Sequence, residues 1–153
     1  MINHEKTLDI IFGRWRSQIL YAGVKLGVFD CVNSFPKNVS EIAKQLNLDY
    51  SLAYRLLRAL GSLGLLREDV NSNFSISAQG ELRGKNHPQT LRGIALLEEG
   101  EEHYALWKHL PSMIMDGKQN AFLREYGKKL FEYRDSNPPY REVFNEAMSS
   151  YSR

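Results

Sequence analysis

Apolar residues near the start of the chain recur at Leu8, Phe12, Trp15, Ile19, Ala22 and Leu26, in alternating steps of four and three. That is the a/d spacing of a helix–helix seam. It predicts helix across this region. Ile11 widens the stripe toward a globular face, and Gly13, Gly23 and Gly27 argue against one unbroken helix. Two partners for the stripe stay open: the protein's own core, or another subunit.

The pattern between residues 38 and 77 is more specific. Ser40 is read as the N-cap of a helix Glu41–Leu46, with Ala43 and Leu46 inward, and Asn47 suits its left-handed stop. Asp49 caps a second helix, Tyr50–Leu63, whose expected inward face is Leu52, Leu56, Leu57, Leu60 and Leu63; Gly64 ends it. Leu65–Glu68 and Phe74–Ser77 read as two strands around Val70–Asn73. Helix, tight turn, helix and hairpin is the order of a winged helix-turn-helix.

The remainder reads as helix. Thr90–Glu99 and Glu101–Met115 are split at Gly100, and Pro111 is expected to kink the second. Asp116-Gly117 marks a turn. Phe122–Tyr133 follows, then Asn137 caps a last helix with Pro138 at its first position. That helix carries Tyr140, Val143, Phe144, Ala147, Met148 and Tyr151 as an apolar stripe. The expected fold class is therefore mainly α with a small β-hairpin.

Composition narrows the function. The 153 residues are 42% hydrophobic and 25% charged, as in an ordinary globular protein. A net charge of +2 does not mark a nucleic-acid-seeking surface. Cys31 is the only cysteine, which fits a reducing, cytoplasmic setting. The opening MINHEKTLDIIF lacks the apolar core of a signal peptide, and no apolar run is long enough to cross a bilayer, so no membrane partner is expected.

Chemistry-bearing residues form no complete site. Glu98, Glu99, Glu101, Glu102 and His103 are a dense acidic cluster, but Gly100 stands where a Glu three residues before His103 would be needed for a helical carboxylate–histidine metal motif. No metal is expected. His4, His87 and His109 lie scattered, Ser149, Ser150 and Ser152 lack a nucleophile elbow, and no GxGxxG occurs. The helix Tyr50–Leu63 offers Tyr50, Ser51, Tyr54, Arg55 and Arg58 to a DNA groove, so a winged-helix transcriptional regulator is the alternative reading. Against it, Glu68 and Asp69 are acidic where a wing would contact phosphate.

Several stretches resemble one family. YAGVKLGVFD, then VSEIAKQLNLDYSLAYRLLRALGSLGLLRE and FSISAQGELR, look like the N-terminal region of S-adenosylmethionine-dependent small-molecule O-methyltransferases of the plant caffeate and bacterial polyketide types. WKHLPSMIMDGKQNAFLREYGKKLFEYRDSNPPYREVFNEAMSSYS is similar to that family's link to its catalytic domain. The resemblance implies dimerisation helices plus a winged helix in residues 1–86, serving as a homodimer scaffold that binds no nucleic acid. It implies a helical linker in 87–153 that roofs the pocket for a small, aromatic acceptor. The Rossmann-like catalytic domain, its glycine-rich loop and its base would lie outside these residues. The isolated chain is then expected to be inactive and not to bind S-adenosylmethionine, although the longer enzyme would.

Carried over residue by residue, Met148 and Ser152 match positions near the cofactor, and Phe122, Phe131, Tyr140 and Phe144 match acceptor-lining aromatics. Leu97 and Glu98 match a pair that positions the acceptor; Glu98 departs from the amide common in plant members. Core packing alone would also explain the aromatic stripe.

Overall fold

A computed structural model describes residues 3–152. Backbone packing separates the chain into two compact units, one through Arg92 and one from Gly93 onward.

In the first unit, α1 (His4–Ile11) starts where the Asn3 side chain accepts from the Lys6 amide at 3.0 Å. The helix stops at Phe12, and α2 (Gly13–Lys25) takes over. The stripe is thus carried by two helices, as the Gly13 position foretold; Gly23, by contrast, lies unbroken and buried inside α2. Gly27 adopts φ +79°, turning the chain into α3 (Val28–Cys31). Val28, Phe29, Cys31 and Val32 are almost wholly buried.

Next come α4 (Val39–Leu46) and α5 (Tyr50–Ser62). The cap of α4 is Asn38, not Ser40. Asn38 accepts from the Glu41 amide, and the Glu41 carboxylate accepts from the Asn38 amide, closing a capping box. Asn47 ends α4 at φ 54°, and Asp49 caps α5 by accepting from the Leu52 amide at 2.8 Å, both as the sequence predicts. The inward face of α5 differs from expectation. Ala53, Leu57 and Leu60 are buried, whereas Leu52 is 60% exposed. Rotating the buried arc by one residue puts the small Ala53 against the core.

β2 (Leu66–Glu68) and β3 (Asn73–Ile76) form the expected antiparallel hairpin. Asp69 organises its turn, accepting from the Asn71 and Asn73 amides. A further short strand, β1 (Lys37–Asn38), pairs with the other edge of β3 and gives the order β1-β3-β2. Buried Ser77 donates to the Gly64 carbonyl and caps the short α6 (Ala78–Glu81) through the Gly80 amide. The result is a winged helix-turn-helix preceded by two exposed-faced helices.

The second unit is helical, entered by α7 (Arg92–Glu98), whose first residue closes the first unit, and followed by α8 (Glu101–Tyr104), a 3₁₀ turn (Ala105–His109), α9 (Leu110–Asp116), α10 (Ala121–Tyr126), α11 (Leu130–Ser136) and α12 (Pro138–Tyr151). Pro111 does not kink a continuous helix. The chain tightens to 3₁₀ before it, and Pro111 enters the first turn of α9, where its missing donor is harmless. Phe122–Tyr133 is likewise two helices, because Gly127 terminates α10 at φ +68°. Asn137 caps α12 as predicted, accepting from the Tyr140 amide at 3.1 Å.

A candidate acceptor pocket in the helical unit

The core of this unit gathers Leu97, Phe122, Tyr140 and Ala147, with Leu106, Tyr126, Tyr133, Val143 and Phe144 packed against it. Phe122 stands at its centre. Its ring lies 5.4 Å from Tyr126, 5.7 Å from Tyr133 and 6.1 Å from Tyr140, distances typical of attractive aromatic pairs.

Polar groups run along one side of this cluster. His103 Nε2 lies 2.8 Å from the Tyr140 hydroxyl, and Nδ1 lies 3.6 Å from a carboxylate oxygen of Glu98. The other Glu98 oxygen accepts from the Tyr151 hydroxyl at 3.1 Å. A carboxylate beside Nδ1 favours the tautomer protonated there. Nε2 is then left as an acceptor, and Tyr140 donates to it. Burial, reinforced by the Glu102 carboxylate, raises the Tyr140 hydroxyl far above its ordinary value, so it keeps the proton that this bond requires. Burial, aided by Tyr133 and Glu102, pushes Tyr126 up to about 12, and its hydroxyl donates to the Glu102 carbonyl at 2.7 Å.

Tyr126, Tyr133 and Tyr140 are all raised, with burial first among the causes. A raised folded-state value means that the folded state holds these protons longer than the unfolded chain. The associated stability is complete below the unfolded value of about 10 and is lost as pH climbs through the folded values. The melting temperature followed by circular dichroism should therefore be flat at mildly alkaline pH and fall once pH passes about 10. A flat profile up to pH ~12 would refute the assignment.

Beside the polar chain opens a cavity of about 200 Å³ lined by Glu98, His103, Leu106, Trp107, Leu110, Met113 and Ala121. Its wall is apolar except at the Glu98–His103 edge. A neighbouring opening is lined by Phe122, Leu123, Lys129, Leu130 and residues 119–121.

The residues singled out from sequence separate into three groups. Leu97, Phe122 and Tyr140 are buried in the core, with Phe144 half-buried against it. Glu98 lies on the cavity, and Phe122 also borders the neighbouring opening. Phe131 is 61% exposed under the Arg134 guanidinium, Met148 is 37% exposed, and Ser152 donates to the Met148 carbonyl at the end of α12. His103, Leu106, Trp107, Leu110, Met113 and Ala121 were not foreseen as lining residues. A signal existed: positions 103, 106, 107, 110 and 113 recur in steps of three and four, placing them on one helical face.

Among the described residues, no group of three or more His, Cys, Asp or Glu side chains could hold a metal, and no helix is long and apolar enough to cross a membrane. The sole sheet among them is antiparallel, and no glycine-rich turn follows a strand.

Residues 8–82 match the O-methyltransferase dimerisation domain, and this region of the chain belongs to that family. It is 33% identical over 146 residues to the phenazine O-methyltransferase of Lysobacter antibioticus, covering 95% of this chain and 42% of the relative. It is 29% identical to the 3-O-methylredipecamine 2-O-methyltransferase of Carapichea ipecacuanha, covering 94% and 41%. The crystal structure of LaPhzM superposes with a TM-score of 0.91 at 32% identity, over 97% of this chain and 44% of that one. The riboflavin-analogue dimethyltransferase RosA of Streptomyces davawensis shares the fold, with a TM-score of 0.90 at 23% identity over 99% and 45%. The chain thus spans about two fifths of the length of the curated relatives it matches. None of these relatives is a DNA-binding regulator, and the regulator alternative finds no support.

Proposed function

We propose that these residues are the dimerisation and acceptor-roofing part of an S-adenosylmethionine-dependent O-methyltransferase that methylates a hydroxyl of a small aromatic molecule. The observation that carries this reading is the match to the phenazine O-methyltransferase, which extends across both units rather than stopping at residue 82. In this reading residues 1–86 supply the homodimer scaffold and 87–153 supply one wall of the acceptor pocket. The protein acts in the cytoplasm, where the buried free thiol of Cys31 stays reduced. It binds neither nucleic acid nor membrane. Arg58, the best DNA-facing cation, is engaged within the chain by Glu68 at 3.2 Å and the Tyr54 hydroxyl at 3.0 Å.

Methyl transfer needs the acceptor oxygen held within about 3–3.5 Å of the methyl carbon, in line and away from water. The contribution of this chain is that positioning. Leu106, Trp107, Leu110 and Met113 offer a flat apolar wall, and Glu98 with His103 offers a hydrogen-bonding edge. In this reading Leu97, Phe122, Tyr140 and Phe144 form the aromatic and apolar core against which Leu106 of that wall packs, and Met148 and Ser152, at the C-terminal end of α12, would contact the cofactor. The group that deprotonates the acceptor belongs to the catalytic part.

Calorimetry should find no S-adenosylmethionine binding to this chain tighter than about millimolar, since the single contact Ser152 could donate contributes about 1 kcal/mol and a millimolar site requires about 4. Joining the chain to the catalytic part of the Lysobacter phenazine O-methyltransferase should restore both binding and methylation of a phenolic acceptor. Micromolar binding by the chain alone, or a correctly folded hybrid that binds cofactor but never methylates, would overturn the reading.

A further inference from the structure

The acidic edge of the cavity carries information about the acceptor's charge. Among the described residues, Glu98 is the sole carboxylate lining the cavity, and no Lys or Arg lines it. The cations nearby in sequence are engaged elsewhere: Lys108 bonds Glu125 at 2.8 Å, and Arg124 bonds Asp116. Lys129 lines the neighbouring opening instead. Glu98 is also held in place. One of its oxygens accepts from Tyr151, and the other faces His103, whose ring is in turn fixed by Tyr140. A carboxylate has about four acceptor sites, so both oxygens can take a further donor without losing these partners. The same cavity is lined by Trp107, 61% exposed, whose indole face attracts cations, and by the polarisable Met113.

We infer that this cavity selects a flat aromatic acceptor bearing a cationic or N–H-donating nitrogen, which Glu98 receives while the ring lies along Trp107, Leu110 and Met113. This rests on the acceptor-pocket reading above and narrows its substrate class. An aromatic carboxylate of the same size would face Glu98 with like charge and no compensating cation. A phenol without a nitrogen would fill the apolar wall but leave Glu98 without its donor. Glu98 and His103 are positioning residues here: they choose and orient the acceptor without taking part in methyl transfer.

The test uses this chain and two probes of matched shape, 1-naphthylmethylammonium and 1-naphthoate. Each is titrated into the isotope-labelled protein while the Trp107 indole N–H resonance is followed; Trp15, outside the cavity, serves as internal reference. The ammonium probe should move the Trp107 signal at a concentration about ten-fold lower than the carboxylate does. Glu98→Gln should erase that preference to within about two-fold, since it removes the charge and keeps the shape. Leu110→Lys, at a 41% exposed position on the wall, should reverse it in favour of naphthoate. Equal or tighter naphthoate binding in the unaltered protein, or an unchanged preference in Glu98→Gln, would overturn the inference. So would a Trp107 signal that neither probe moves. None of these outcomes affects the hybrid-enzyme test, where failure would count against the methyltransferase reading itself.

Discussion

Alanine at Gly93 is expected to destabilise the protein by about 2 kcal/mol, even though alanine is the better helix former. Gly93 lies buried at the start of α7, close against the backbone of α12. A Cβ added there would come within 2.7 Å of the Ala147 amide nitrogen and of the Glu146 carbonyl carbon. Both are backbone atoms, which cannot rotate away as a side chain would. The helix-propensity gain of about 1 kcal/mol is real but smaller than the overpacking cost of roughly 3 kcal/mol when two backbones must part. Ala147, itself 0% exposed, shares the core with Leu97 and Tyr140, so separating α7 from α12 also loosens that core. In a chain of this size the melting temperature should fall by about 4–8 °C. Gly117→Ala is the useful contrast. Nothing lies within 4 Å of a Cβ there, and only the φ of +72° opposes it, so the loss should stay near 1 kcal/mol. If Gly93→Ala melts no lower than Gly117→Ala, the close crossing is misassigned.

Features decided by near neighbours were legible in the sequence. Asn47, Asp49 and Asn137 act within three residues of themselves, and each does what its side chain predicts. The hairpin β2–β3 was readable for the same reason. The cap at Asn38 was also local but masked by a competitor, since Ser40 is an equally good cap residue. Only Asn38 has a Glu three residues later to complete the box. What failed was non-local. β1 is two residues long, without alternation, and exists because the far edge of β3 is there to pair with it. Leu52 and Ala53 exchanged places because a helical stripe gives the buried direction only to within about one residue, and packing against the core decides the rest.

The site divides along the same line. The stripe on α12 was visible as a periodicity, but periodicity does not tell a wall from its backing. Tyr140 and Phe122 are core-buried, while Phe131 points to solvent. The cavity wall escaped notice although His103, Leu106, Trp107, Leu110 and Met113 share a face at helical spacing, because a stripe of that kind reads equally well as core packing. The acidic cluster, from which no metal is expected, supplies Glu98 to the cavity lining, the residue that the family resemblance singles out.

Glutamate at Trp15 is expected to turn a homodimer into a monomer. The helix α1 has no buried residue at all, yet it presents Leu8, Ile10 and Ile11 at 48%, 74% and 62% exposure, and α2 continues the face with Trp15 at 64%. An eight-residue helix is marginal in water without packing. Apolar side chains concentrated on one such element need a cover, and because residues 8–82 match a dimerisation domain, a second copy is the expected cover. Trp15 stacks on Phe12 at 4.3 Å between ring centroids, so the two present one aromatic surface. In a two-fold interface every substitution enters twice. An unpaired buried carboxylate costs several kcal/mol, and two of them cost enough to weaken association by about 10⁴-fold or more. Trp15 is the better position than half-buried Phe12 or Ile19, whose loss would also damage the subunit's own packing. Sedimentation velocity at micromolar concentration reads the result directly. The unaltered chain should run as a dimer, Trp15→Glu as a folded monomer with unchanged helical circular dichroism, and Val70→Glu, at a 99% exposed apolar residue in the hairpin turn, as a dimer. A monomeric unaltered chain, or a Trp15→Glu variant that still dimerises, would move the interface off this stripe and leave α1 without an explanation for its apolar face.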